Sequence, residues 1–149
     1  TLAMLYTVHT DGWSRGNPGP SGCAFVVSQW SKVVETGKFF LGTTTNNQAE
    51  YMGAILGLEA VKDLWGTEVH LVMDSELVIK QLKWIYKVKD AGLKILNQKA
   101  KWILAGFKKT TFTSVLREKN KHADELANEA MDAQFPLHKM DESLQVSLW

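Results

Sequence analysis

Leu5-Tyr6-Thr7-Val8-His9-Thr10-Asp11-Gly12 is the stretch from which the rest of the chain can be read. Its first four residues are apolar, aromatic or β-branched, the make-up of a buried strand. The run then meets a carboxylate and the glycine-rich Gly12-Trp13-Ser14-Arg15-Gly16-Asn17-Pro18-Gly19-Pro20, so a strand is expected to end on Asp11 and pass into a turn. That leaves one acidic group at the rim of a sheet. An isolated Asp-Gly usually does no more than start a turn. Three more carboxylates at the ends of predicted elements give Asp11 a second reading.

Downstream, Cys23-Ala24-Phe25-Val26-Val27 and the run from Lys32 to Leu41 read as two further strands joined by a polar loop, a three-stranded meander. Thr45-Asn46-Asn47-Gln48 has the capping pattern that predicts a helix from about Asn47 to Leu64, with Glu50 in its first turn and Met52, Ile55, Leu56, Ala60 and Val61 facing the sheet. Val69 to Met73 is a short strand that ends on Asp74-Ser75, and a second helix follows with Val78, Leu82 and Ile85 on one face. Asp90-Ala91-Gly92 precedes a third helix, whose stripe of Leu93, Leu96, Ala100, Ile103 and Phe107 reads as core. Thr111 to Leu116 makes a last strand. A final helix after Asn120 turns Ala123, Leu126, Ala127, Ala130 and Met131 inward, with Asp124 beside them. The order β, β, β, α, β, α, α, β, α describes an α/β domain with a mixed sheet. It occupies residues 1–135; a tail at 136–149 mixes apolar and charged residues without a clear period, and either docks or stays loose.

With 149 residues, 45% of them apolar, the chain can close one core of ordinary size. The single cysteine, Cys23, excludes an intrachain disulfide and suits a reducing compartment. No stretch approaches the ~18 apolar residues of a membrane span, and the N-terminus lacks a secretory signal. The expectation is a soluble, cytoplasmic monomer with no membrane partner. Thr1 is not a natural start, which leaves room for excision from a longer protein. The net charge of +1 hides an asymmetry: Lys80, Lys83, Lys87, Lys89, Lys94, Lys99, Lys101, Lys108 and Lys109 stand against the single acid Asp90 in that segment. Interleaved with Trp84, Tyr86 and Trp102, they form a basic segment of the kind a phosphate backbone attracts. A solvated helix face with its aromatics packed inward explains the segment equally well when it is taken alone.

Asp11 and Asp74 at strand ends, with Glu50 and Asp124 near helix starts, can meet at one edge of a sheet. Four such acids repel one another. Two Mg²⁺ ions, which prefer hard oxygen ligands, would neutralise them, whereas zinc is poorly served because the set offers no Cys and no spaced pair of His. Two divalent ions about 4 Å apart can clamp both the attacking and the leaving oxygen of a phosphodiester.

The ordered set Thr10-Asp11-Gly12, Gly16-Asn17-Pro18-Gly19-Pro20-Ser21-Gly22, Thr45-Asn46-Asn47-Gln48-Ala49-Glu50, Met73-Asp74-Ser75 and Asn120-Lys121-His122-Ala123-Asp124-Glu125-Leu126-Ala127-Asn128 resembles type 1 ribonuclease H over residues 5–132. The resemblance implies a ribonuclease H-like fold, a five-stranded mixed sheet with its second strand antiparallel and helices flanking it. It also implies Mg²⁺-dependent cleavage of the RNA strand of RNA/DNA hybrids to 5′-phosphate and 3′-hydroxyl ends, with Mn²⁺ an alternative ion. Carried over by position, Asp11 would bridge two metals, Asp124 would hold the ion that activates water, and Glu50 with Asp74 the ion facing the leaving oxygen. Asn17, Asn46 and Asn47 match positions that contact the RNA strand, Thr45 one that grips a phosphate of the DNA strand, and Ser75 adds to the substrate contacts. For Thr45 and Gln48 simple helix capping is compatible with function, since one hydroxyl near a helix start can do either job.

There are departures from the family pattern. Thr43 and Glu76 replace an arginine and a glutamine found in many members, and the basic handle that some bacterial members insert is missing, so Lys87 and Lys89 would have to supply the grip. Another nuclease on the same fold, a resolvase or integrase-like enzyme, and a non-catalytic nucleic-acid binding module are the competing readings. Many members also carry a histidine on a mobile loop before the last Asp. Here that loop is short, and His122, two residues before Asp124, should point away from the metals. Arg117 is the expected stand-in, able to stabilise the leaving group or help free product, though not to relay a proton; a purely structural pair with Glu118 or Glu125 is the alternative to that role.

Overall fold

The computed structural model describes residues 2–134; the expectation for a tail at 136–149 lies outside the described residues. The elements follow in the order β1 (Leu5–Ser14), β2 (Gly19–Gln29), β3 (Lys32–Thr44), α1 (Asn46–Asp63), β4 (Glu68–Met73), α2 (Glu76–Leu82), α3 (Ala91–Leu104), β5 (Lys109–Ser114), a 3₁₀ turn (Arg117–Lys119) and α4 (Lys121–Ala133). A five-stranded sheet runs β3-β2-β1-β4-β5. β2 is antiparallel to both of its neighbours, while β1, β4 and β5 are parallel, so the expected mixed α/β sheet with an antiparallel second strand is present.

α1 is the pillar of the fold. The side chain of Thr45 accepts from the backbone N–H of Gln48, and Gln48 Oε1 accepts from that of Thr45, the reciprocal box read from the sequence. From Ala49 to Val61 nearly every residue is buried, because the helix is enclosed by the sheet on one side and by α2 and α3 on the other. Tyr51 joins those helices: its hydroxyl donates to Gln81 Oε1 at 2.6 Å and accepts from Asn97 Nδ2 at 3.0 Å. α4 packs on the sheet across β1, β2 and β3 through Ala123, Ala127, Ala130 and Met131. Among the described residues no helix is long and apolar enough to cross a membrane.

Several boundaries differ from the sequence reading. β1 does not end at Asp11; it runs on to Ser14, with Asp11 opposite Ala24 and Trp13 opposite Gly22 on β2. Gly12 is no turn residue either. A Cβ there would collide with the carbonyl of Ala49, so glycine is needed to let α1 lie against the strand. Ile85 falls past the end of α2 and is exposed, because that helix stops at Leu82. Phe107 is buried as expected but lies beyond α3, and β5 begins two residues early and leaves Leu116 exposed. Glu50 sits one residue past the first turn of α1.

Candidate active site

The parallel pairing of β1 with β4 ends at Thr10 opposite Met73. Asp11 and Asp74 are the next residues on their chains, so two carboxylates are brought to the same edge where β4 stops and β1 continues. Glu50 arrives from α1: the backbone contact at Gly12 extends to the Glu50 N–H, which fixes the helix at the level of Asp11. Asp124 comes from the first turn of α4, whose preceding residue Asn120 is buried and donates from Nδ2 to the carbonyl of Thr10 at 2.8 Å. These four acids, with Gly12, Trp13, Asn46, Glu76, Arg117 and the segment Ser114 to Leu116, line one open pocket of about 500 Å³.

Crowding shows in the proton affinities. Burial first, then the charge of Asp74, the hydrogen bond to Asp124 and its charge push Asp11 up to about 8. Burial also pushes Glu50 up to about 7, with the charge of Asp74 adding to it, against hydrogen bonds from Ser75 and Asn46 that favour the ionised form. Asp74 is raised by burial too, opposed by the guanidinium of Arg117. Carboxyl groups hydrogen-bonded to one another must share a proton, and a hard cation can take that proton's place. No three described Asp, Glu, His or Cys side chains are gathered into a ready-made metal-holding group. The pocket offers an open row of oxygen donors without His or Cys, which suits an ion that keeps much of its own water, as Mg²⁺ does, and does not suit zinc.

The expected substrate residues divide into two groups. Asn46 lines the pocket, accepts from the Ser14 N–H at 3.1 Å, donates from its own N–H to Asn17 Oδ1 at 2.9 Å and from Nδ2 to Glu50 Oε1 at 3.1 Å. It therefore couples the 15–18 turn to a catalytic candidate. Asn47 is half-buried in the first turn of α1, Thr45 caps that helix, and Ser75 caps α2 by accepting from the Val78 N–H while also bonding Glu50. Lys87 and Lys89 are exposed on the connection between α2 and α3, outside the pocket. Trp84, Tyr86 and Trp102 are also exposed rather than packed inward; Lys101 lies 3.1 Å from the Trp84 ring centroid and Lys62 5.4 Å from that of Trp102.

Arg117 reaches the site. Its Nη2 lies 3.3 Å from Asp124 Oδ1 and its guanidinium 5.7 Å from the centroid of Trp13, so its ion pair is with a pocket acid. His122 is exposed and lines a different cavity together with His9, Trp30 and Lys121. The sequence reading missed Trp13. The signal was the period of two: once β1 is read through Gly12, Asp11 and Trp13 share a face of the strand.

Residues 9–130 match the family model described as reverse transcriptase-like. The chain is 42% identical over 132 residues to a bifunctional protein of Mycobacterium tuberculosis, covering 87% of this chain and 36% of that protein. It is 43% identical over 123 residues to ribonuclease HI of Halobacterium salinarum, covering 82% of this chain and 62% of that one. Among solved structures, it superposes on the N-terminal ribonuclease H domain of the mycobacterial protein with a TM-score of 0.86 at 41% identity, over 88% of this chain and 96% of that one. A ribonuclease H1 in complex with an RNA/DNA hybrid gives a TM-score of 0.82 at 38% identity, over 87% and 98% of the two chains.

Proposed function

The chain belongs to the type 1 ribonuclease H family, and on that premise we propose that it is a metal-dependent endoribonuclease that hydrolyses the RNA strand of RNA/DNA hybrids. The observation that carries this reading is the meeting of Asp11, Glu50, Asp74 and Asp124, from four different parts of the fold, in one pocket with Asn46 at its edge. Asp11, the most crowded of the four, would serve both ions of a two-metal site, with Asp124 on the side of the attacking water and Glu50 and Asp74 on the side of the leaving oxygen. When bound, Mg²⁺, or Mn²⁺ in its place, would supply the charge that generates hydroxide and neutralises the leaving oxygen.

The protein's own groups do the rest. Asn46 and Asn17, locked to each other and to Ser14, form a polar edge that would read the 2′-hydroxyl and hold the RNA strand in register. Asn47, Thr45 and Ser75 extend that edge around the starts of α1 and α2. Arg117 carries a fixed positive charge beside Asp124, placed to stabilise charge developing on the scissile phosphate and to help release the 5′-phosphate product. The exposed lysines at 87 and 89 would follow the backbone of the duplex. We assign the fold to a domain over 1–135 acting as a monomer in the cytoplasm, where the single buried Cys23 stays a thiol.

The test is incubation of the protein with end-labelled RNA/DNA, RNA/RNA and DNA/DNA duplexes, with and without Mg²⁺. The RNA strand of the hybrid should be cut, leaving 5′-phosphate and 3′-hydroxyl ends, only when the metal is present. Cleavage of the all-DNA duplex as fast as the hybrid would overturn the reading in favour of a resolvase-like nuclease.

A further inference from the structure

We propose that Trp13 is a positioning residue for Arg117, and that its indole sets the orientation in which the guanidinium faces the cleft. The inference rests on the role given above to Arg117. Trp13 follows Asp11 by two residues on the same face of β1 and lines the carboxylate pocket. Opposite it on β2 stands Gly22, so the directly facing position on that strand carries no side chain. Both Arg117 and Arg15 hold their guanidinium carbons 5.7 Å from the Trp13 centroid, within cation–π range.

The two arginines are anchored differently. Arg15 is tied down to α4, at 2.7 Å from Asp132 Oδ1 and 3.4 Å from Asn128 Oδ1. Among the described residues Arg117 has one long ion pair, 3.3 Å to Asp124, and its side chain is 67% exposed. A flexible, exposed arginine with a single 3.3 Å ion pair is poorly oriented by that pair alone; the flat face of a fixed ring is what limits its rotamers. The ring is not held there by hydrogen bonding, since Nε1 is buried without an acceptor among the described residues. Asn128, which accepts from Arg15, also donates to the backbone carbonyl of Asp124 at 3.0 Å, so one residue of α4 ties Arg15 to the turn of helix that carries the ion-pair partner of Arg117.

The test is a double-mutant cycle in hybrid cleavage at saturating Mg²⁺, with NMR of the Arg117 side chain as a readout independent of turnover. Trp13→Leu should lower kcat roughly two- to fivefold with KM unchanged, the range a partly exposed cation–π contact supports, and Trp13→Phe should restore most of it. In the Arg117→Ala background Trp13→Leu should cost nothing further. The Arg117 Nε–H proton, assigned by its loss in Arg117→Ala, should sit upfield in the parent from the indole's ring current. Equal losses from Trp13→Leu in both backgrounds, or an Arg117 Nε–H at its ordinary position in the parent, would overturn the proposal even if Trp13→Leu folds poorly. If Arg117→Ala slows turnover and Trp13→Leu does not, only this inference fails; if Arg117→Ala is itself silent, the role given to Arg117 fails first.

Discussion

Asp11 and Glu50 hold protons at pH values where an exposed carboxylate would have lost them, and the consequence for stability has a definite sign. Their folded pKa values, about 8 and about 7, lie above the ordinary 3.8 and 4.5. Each therefore contributes stability that is fully present below the unfolded value and is lost as pH rises through the folded one. The metal-free protein should melt lower at pH 8.5 than at pH 5.5, and Mg²⁺ should raise its melting temperature far more at the higher pH, where no proton competes for the site. Scanning calorimetry at the two pH values with and without Mg²⁺ checks this; equal metal shifts at both would contradict it. At Arg117, replacement by Ala should lower kcat roughly tenfold or more while KM moves little, because the role proposed for it is to stabilise charge in the transition state. His122→Ala should change turnover by less than about twofold, since its side chain lines a cavity away from the carboxylates and contributes none of the charge there. A larger loss from His122→Ala than from Arg117→Ala would reverse the assignment.

The helices deliver their acids by close approach to the sheet, and α1 does so most tightly. Gly12→Ala places a methyl group against the Ala49 carbonyl and forces α1 away from β1 just where Glu50 must meet Asp11. It should cost about 1–3 kcal/mol in urea unfolding and reduce cleavage beyond what the lost stability explains. An unperturbed Gly12→Ala enzyme would mean that the helix has slack there. The connection between α2 and α3 is the element at stake for binding. Lys87→Ala with Lys89→Ala should flatten the dependence of hybrid affinity on salt by roughly one to two units of log–log slope, about 0.9 for each phosphate that is no longer neutralised; an unchanged slope would return both lysines to the solvent. The elements also show why part of the fold was legible in advance. Thr45 and Gln48 announce α1 because capping is local chemistry, and Asp74 is found at its strand end because β4 is short and buried. The continuation of β1 past Asp11 was hidden, because a glycine needed for helix approach and a glycine needed for a turn look alike in a sequence. Ile85 was misassigned for a related reason: its spacing suits a helix, but α2 stops at Leu82 and Trp84 takes a positive φ of 64°.

At the scale of the whole molecule, a chain of net charge +1 brings Asp11, Glu50, Asp74 and Asp124 to one pocket and keeps Lys87 and Lys89 on a connection outside it. That separation lets binding and cleavage be uncoupled. Asp11 lines the acidic pocket, and Lys87 and Lys89, which would follow the duplex, lie outside it, so Asp11→Asn is the variant that divides the two functions. The measurement is hybrid affinity and single-turnover cleavage of the parent and Asp11→Asn in the same Mg²⁺ buffer. Cleavage should vanish in the variant while the dissociation constant stays within roughly threefold of the parent, about the change that one altered charge near a polyanion brings. Cleavage by Asp11→Asn at a rate near the parent's would contradict the account, because the chemistry would then not depend on the carboxylate around which the site is built.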